Sequence, residues 1–474
     1  MLRNHLATAA TPADEAPVIF ENDRSIRSFI LNRPKLNPLD EEMIDLISAK
    51  LKEWDNADLC RMIIGRGSGR AFCAGGNVKD VVKDAADKKT RHRAIDFFRK
   101  EFLLDFQTAT LKKPYIAILD GITMGGGVGL SINAAFRIAT EKTVLAMPET
   151  KIGYCPDVGA SYFLSRLDGE VGTYLALTGN SLTGREVFKY GLATHYTASR
   201  RIPDLLNTLA SLESAGLKEL NTTIEEFYEH PYEDEPGILL EADVRIALDS
   251  AFAGKRLEDI IERLEWFRDN ADGRVADWAE LTLYELHMRS PTSLRVALEA
   301  IRRGRSFFSL SQALHQEFAI ACAYINGASP DFKTGVTSKL ELKLPDEERI
   351  AWEPNTVAEC DNQKIVERFF NFSSPFLKGT PMLDIEPPTE QPAPFMRFSL
   401  PSEHYVESVV RGTDRNSGTK ALTAAEVVKR INETFDKKNG VTEKVEEIIA
   451  RKCEVLEDPD RYGCIGWVTE DSER

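Results

Sequence analysis

Met147-Pro-Glu-Thr-Lys-Ile-Gly-Tyr-Cys-Pro-Asp157-Val-Gly-Ala160 is the stretch from which the fold is read. It carries two carboxylates, Glu149 and Asp157, each beside a proline. Proline and glycine fix backbone geometry, so acids on such a frame are held in place. Upstream lies Met124-Gly-Gly-Gly-Val-Gly129, preceded by the apolar run Tyr115-Ile-Ala-Ile-Leu119. A second glycine-rich stretch, Gly65 to Gly76, follows the apolar run Arg61-Met-Ile-Ile64. Strand, glycine cluster and helix thus recur in order.

Working outward, Pro17–Phe20 and Ile26–Leu31 read as strands, with Glu21–Arg24 as their turn. Asp40 reads as the N-cap of a helix bearing Met43, Ile44, Ile47 and Leu51 at helical spacing. One long polar helix is expected over 88–110, with Ile95, Phe98, Phe102 and Phe106 inward. Phe136–Ala139 and Val144–Met147 read as short strands. Ser161–Leu167 and Val171–Leu177 read as helices. This alternation implies an α/β domain with parallel strands. Residues 203–340 read as helical. Prolines at 381, 387, 388, 392, 394 and 401 suggest a linker. Ala424–Phe435 and Thr442–Lys452 read as amphipathic helices. The expected organisation is an N-terminal tail (1–16), an α/β core (17–200), a helical region completing that domain (201–374), a proline-rich linker (375–401) and a small helical C-terminal module (402–474).

Bulk properties narrow the function. A chain of 474 residues exceeds one ordinary core. Its net charge of −15 disfavours DNA or RNA as the main ligand, because phosphate contacts need Lys and Arg. Seven cysteines without a Cys-x-x-Cys pair argue against a disulfide framework or structural zinc. No apolar run approaches a membrane span. The N-terminus has no acid before Asp14 and a single Arg, Arg3, as in the stub of a mitochondrial transit peptide. Neither glycine cluster fits a Walker loop or Gly-x-Gly-x-x-Gly. Their amides can bind an anion at a helix start, or the glycines can simply form tight turns. From spacing alone, Asp157 reads as a helix N-cap and Glu149 as a turn acid or a base.

Together the segments Leu31-Asn-Arg-Pro34, Ala71-Phe-Cys-Ala-Gly-Gly76, Gly121-Ile-Thr-Met-Gly-Gly-Gly-Val-Gly129 and Met147-Pro-Glu149 resemble the crotonase (enoyl-CoA hydratase/isomerase) superfamily. Phe97-Phe-Arg-Lys-Glu101, Ile152-Gly-Tyr-Cys-Pro-Asp157-Val-Gly159, Tyr162-Phe-Leu164, Leu175-Ala-Leu-Thr-Gly179 and Ser290-Pro-Thr-Ser293 resemble its 3-hydroxyisobutyryl-CoA hydrolase branch. The resemblance implies a ββα superhelix and hydrolysis of an acyl-CoA thioester in the mitochondrial matrix. It implies the Gly76 and Gly126 amides as oxyanion hole, and Glu149 and Asp157 as catalytic acids. Glu101, Gly126, Glu149 and Asp157 would bind substrate. No metal or cofactor is implied beyond the coenzyme A of the substrate. Hydratases of the superfamily carry a second glutamate where this chain has Gly129, which favours hydrolase over hydratase. Asn77 and Thr337 depart from the branch, and Lys343 falls where a later family lysine does. The extension beyond 375 resembles longer fungal mitochondrial relatives, some of them components of the small subunit of the mitochondrial ribosome. That implies small-subunit proteins as a second class of partner.

Overall fold

The computed structural model describes residues 16–212, 216–232, 235, 237–385, 395–415, 420–457 and 463–468. The transit-peptide reading of residues 1–15, and most prolines of the expected linker, lie outside them.

Strands β1 (Val18–Asp23) and β2 (Ile26–Leu31) pair as an antiparallel hairpin. Helix α1 (Glu41–Asp55) follows, and the Asp40 carboxylate caps it by accepting the Met43 N–H. Its buried residues Met43, Ile44, Ile47, Leu51 and Trp54 recur at the helical period, so one face turns to the core. The chain then gives strands alternately to two sheets. The pairs are β3 (Met62–Gly67) with β4 (Ala71–Cys73), β5 (Tyr115–Leu119) with β6 (Ile122–Met124), and β7 (Phe136–Ala139) with β8 (Val144–Ala146). Helices α2 (Val78–Ala86) and α3 (Arg91–Ala109) follow the first pair, and α4 (Gly126–Ile132) the second. After the third pair come a 3-10 turn (Glu149–Ile152), α5 (Ala160–Phe163) and α6 (Val171–Thr178). Strand β9 (Ser181–Thr183), α7 (Arg185–Lys189) and β10 (His195–Tyr196) close the repeat.

One sheet runs β1-β2-β3-β5-β7-β10 and the other β4-β6-β8-β9. The pairs β2/β3, β3/β5, β5/β7, β4/β6 and β6/β8 are parallel. This is the ββα superhelix, a mixed α/β fold. Parallel strands covered on both faces need continuous apolar runs, and Ile63, Ile64, Ile116, Ile118, Phe136 and Ile138 are all buried. Full burial of each such side chain contributes about 1.5–3 kcal/mol. Helices Ile202–Ser211 and Leu217–Glu225 cover the outer face of the larger sheet.

The helix expected over 88–110 is α3, while the helix before it, α2, was not expected; the extended Asp87 separates the two. One expectation changes. The inward face of α3 includes Glu101 and Asp105 beside Phe98 and Phe102, while Ile95 and Phe106 are only half-buried.

The C-terminal region shares the main core. Leu377, Leu383, Ile385, Phe395 and Leu400 are buried within it, as are Val427, Ile431, Val445 and Ile448. The Phe398 ring stacks on Phe136 at 4.7 Å. Arg137 on β7 is fully buried and donates to the carbonyls of Ala134, Leu192 and Gly191 and to Ser399 Oγ. Helices Ala424–Thr434 and Val441–Lys452 occupy the positions read from the sequence, with Thr423 and Glu426 forming a capping box. Among the described residues no helix is long and apolar enough to cross a membrane.

Candidate active site

Three adjacent parallel strands of the smaller sheet end at one place. β4 delivers Gly75 and Gly76, β6 delivers Gly125 and Gly126, and β8 delivers Met147, Pro148 and Glu149. Parallel strands present their C-terminal ends together, and ligands bind there in open α/β sheets. Gly126 opens α4, so its N–H has no acceptor within the helix. A Cβ on Gly126 would lie 3.4 Å from the Gly76 nitrogen and 2.2 Å from Glu101 Oε1. A Cβ on Gly125 would lie 2.8 Å from Glu149 Oε1. The two glycine loops and the two glutamates therefore meet at a single point.

Gly76, Gly126, Glu101, Glu149 and Asp157 all line one cleft of about 640 Å3. Every residue of the expected site is thus brought together. Glu149 is 7% exposed and Asp157 5%. Burial pushes Glu149 up to about 8, reinforced by the charges of Glu101 and Glu317. Burial alone pushes Glu101 up to about 8. Asp157 is also held well above the usual carboxylate range, by burial and then by Glu101, Glu149 and Glu317. Like charges this close cannot all ionise, so the acids titrate as a group. Glu149 Oε2 and Glu101 Oε1 are buried without hydrogen-bond partners, as groups awaiting a ligand would be.

Asp157 does not cap α5 with its side chain, as spacing had suggested; only its carbonyl accepts, from Ala160 N–H. The cap is Glu317, on helix Leu310–Ile325. Its Oε2 accepts Gly159 N–H at 2.6 Å, and its Oε1 accepts Ser161 N–H at 2.7 Å and the Ser161 hydroxyl at 2.6 Å. The turn it grips includes Val158 at φ 55 and Gly159 at φ 91. Left-handed backbone is unusual for a β-branched residue, and such strain persists where the surroundings enforce it.

Sequence reasoning missed Glu317, which has no local signal and lies 158 residues from Gly159. It also missed Asp105, one turn beyond Glu101 on the inward face of α3. A Cβ on Gly129 would stand 2.9 Å from both Asp105 oxygens and 2.5 Å from the Val158 Cβ, so no side chain fits there. Burial, then Glu101 and Glu317, holds the Asp105 carboxyl well above its ordinary range. Toward the open end the cleft is lined by Lys151, Arg289, Lys339 and Lys343, with Leu281 and Tyr284 exposed. Arg289 Nε donates to Thr178 O at 2.7 Å. Among the described residues no group of three or more His, Cys, Asp or Glu side chains is arranged to hold a metal ion.

The family described as enoyl-CoA hydratase/isomerase matches residues 26–370. The small ribosomal subunit protein mS47 of Neurospora crassa is 38% identical over 448 residues, covering 92% of this chain and 85% of that protein. The mitochondrial 3-hydroxyisobutyryl-CoA hydrolase of Xenopus laevis is 37% identical over 382 residues, covering 80% of this chain and 95% of that protein. Among solved structures, a carnitinyl-CoA dehydratase from Mycobacterium thermoresistibile is 30% identical with a TM-score of 0.65, over 77% of this chain and 99% of that one.

Proposed function

The chain belongs to the enoyl-CoA hydratase/isomerase family, and on that premise we propose that it is a hydrolase of 3-hydroxyisobutyryl-CoA in the mitochondrial matrix. The observation that carries this reading is the buried Glu149 carboxylate beside Gly125, where the two glycine loops also meet Glu101, with no room for an acid at Gly129, the position of the hydratases' second glutamate. Adding water across a double bond needs two placed acid–base groups; cleaving a thioester needs one, plus an oxyanion hole.

In this mechanism the thioester oxygen lies between the Gly76 and Gly126 N–H groups. Negative charge developing there is stabilised by about 3–4 kcal/mol per donor. Glu149 attacks the carbonyl carbon or takes the proton of an attacking water. The C–S bond breaks, water supplies the new carboxylate oxygen, and the CoA sulfur leaves as the thiol. Asp157 and Glu101 border the acyl group. Lys151, Arg289, Lys339 and Lys343, at the open end, are the cations suited to the CoA phosphates and compensate for Thr337. No cofactor is required beyond the CoA of the substrate. The named hydrolase relatives support the reaction and the compartment.

The test is CoA release from 3-hydroxyisobutyryl-CoA by purified protein and by Glu149→Gln. The variant should be at least about 100-fold slower, since general-base catalysis contributes about 10²–10⁴-fold. Equal rates would remove Glu149 from the reaction.

A second reading has its own support. The mS47 match covers 92% of this chain, against 80% for the hydrolase of Xenopus laevis. On this reading the protein also contacts proteins of the mitochondrial small ribosomal subunit, with or without hydrolysis. Full-length protein should then co-sediment with small subunits at moderate salt. A wholly free pool would exclude this role.

A further inference from the structure

The closed end of the cleft holds a third buried oxygen without a hydrogen-bond partner, the hydroxyl of Tyr154. The mechanism above does not use it. Tyr154 is 2% exposed, and its ring is fixed on several sides. It stacks on Phe98 at 5.5 Å and on Phe332 at 4.7 Å, and meets Tyr324 edge-on at 5.0 Å. A phenylalanine would keep all of these ring contacts. The hydroxyl adds only a buried polar group, which is costly unless something bonds it. It lies beside Asp157, yet makes no hydrogen bond of ordinary geometry with it. Both residues line the cleft, so one guest oxygen can meet both. Phe97, Phe98 and the Tyr154 ring wall this end, which limits the guest to a short chain.

The family resemblance implies Asp157 at the hydroxyl end of the substrate; we infer that Tyr154 is a further specificity-determining residue, its hydroxyl meeting the same acyl-chain hydroxyl and strengthening the selection of short hydroxyacyl thioesters over their deoxy counterparts. Burial, and then Asp157, holds the phenol well above its ordinary range, so it remains a donor at working pH. A site built to bond a substrate hydroxyl discriminates strongly against an analogue lacking it, because its own buried polar groups are then left unpaired. This inference rests on the hydrolase reading.

The test separates the two. Wild-type CoA release measures the reaction. Binding of 3-hydroxyisobutyryl-CoA and isobutyryl-CoA to Glu149→Gln and to Glu149→Gln/Tyr154→Phe, by calorimetry, measures the selection without turnover. Adding Tyr154→Phe should weaken the hydroxylated thioester by roughly 10–100-fold, the range of one or two lost hydrogen bonds. Binding of isobutyryl-CoA should stay level or tighten. An unchanged ratio of the two affinities overturns the inference, as does an equal loss of both or the absence of binding by either. If wild-type protein releases no CoA, the hydrolase reading fails, while the affinity ratio still decides the role of Tyr154.

Discussion

At Gly126 and Gly129 the lack of a side chain is a steric requirement of the site. A methyl group on Gly126 would press on Glu101 Oε1 at 2.2 Å and displace either that carboxyl or the start of α4. If Gly126 supplies an oxyanion donor as proposed, Gly126→Ala should lower kcat/KM for thioester hydrolysis by about 10²–10³-fold, the value of one misplaced donor. Gly129→Glu should not create a hydratase, because Val158 and Asp105 occupy the space it needs; its product mixture from crotonyl-CoA would show this. Asp105 has neither oxygen paired. Its folded-state pKa is raised, so the folded protein binds the extra proton, and stability falls as pH rises above the unfolded value of about 3.9. Asp105→Asn should remove that loss and raise the Tm at pH 8 more than at pH 5. Glu149, Asp157 and Glu101 were singled out through the family resemblance, since spacing alone left Asp157 reading as a helix cap. Asp105 was legible only as a position on a helix face, since its neighbours come from other elements.

Among the elements, the Asp157–Ser161 turn depends most on something far away in the chain. Glu317 satisfies two N–H groups and a hydroxyl at the start of α5 from a separate helix. Glu317→Ala leaves these buried donors unpaired and should destabilise the fold by about 3 kcal/mol, read by chemical denaturation. Glu317→Gln keeps an acceptor and should cost less. It also removes a negative charge that raises the proton affinity of Glu149 and Asp157. If Glu149 must be ionised, kcat/KM rises with pH toward about 8 in the wild type. In Glu317→Gln that rise should come at lower pH; an unmoved profile would mean that Glu317 acts on the turn alone. Helix α2 was likewise missed, because Val78 to Ala86 reads as polar until its two buried valines are set against a neighbour.

For the molecule as a whole, the C-terminal helices are joined to the core by buried ions. Lys444 Nζ lies 2.8 Å from Asp168 Oδ2. Arg451 pairs with Glu403, Glu447 and Asp249, and Arg245 with Asp249 and Glu403. Lys438 and His195 share Glu225. Removing one member strands a buried charge, so Lys444→Met should destabilise the protein by about 3–5 kcal/mol. A single shared unfolding transition is expected; loss of the C-terminal helices alone, with an unchanged main transition, would contradict a shared core. Burial opposes the ionised forms of Asp168 and Glu225, but Lys444 for the first, and His195 with Lys438 for the second, keep them below the usual range. Their contribution is present above a pH of about 4 and is lost as pH falls through the lowered values. Burial, then Lys438, lowers His195 to about 4, so this residue also costs stability below a pH of about 6.5. The cleft acids behave oppositely, losing stability as pH rises from about 4.3 toward about 8. The Tm should thus peak on the acid side of neutrality and fall toward pH 8, a profile that calorimetry would check.

Sequence alone determined the strand–glycine–helix repeat and the parallel α/β class, and the family resemblance pointed to Gly76, Gly126, Glu101, Glu149 and Asp157, which line one cleft. These are local properties: apolar period, turn chemistry and short ordered motifs that survive in one dimension. Tertiary structure decided which carboxyls share the cleft, why Gly129 must be bare, what holds Asp157 in place and how the C-terminal helices join the core. Each of those is a contact between residues distant in the chain, and a proton affinity set by burial and like-charged neighbours exists only once the chain has closed around them.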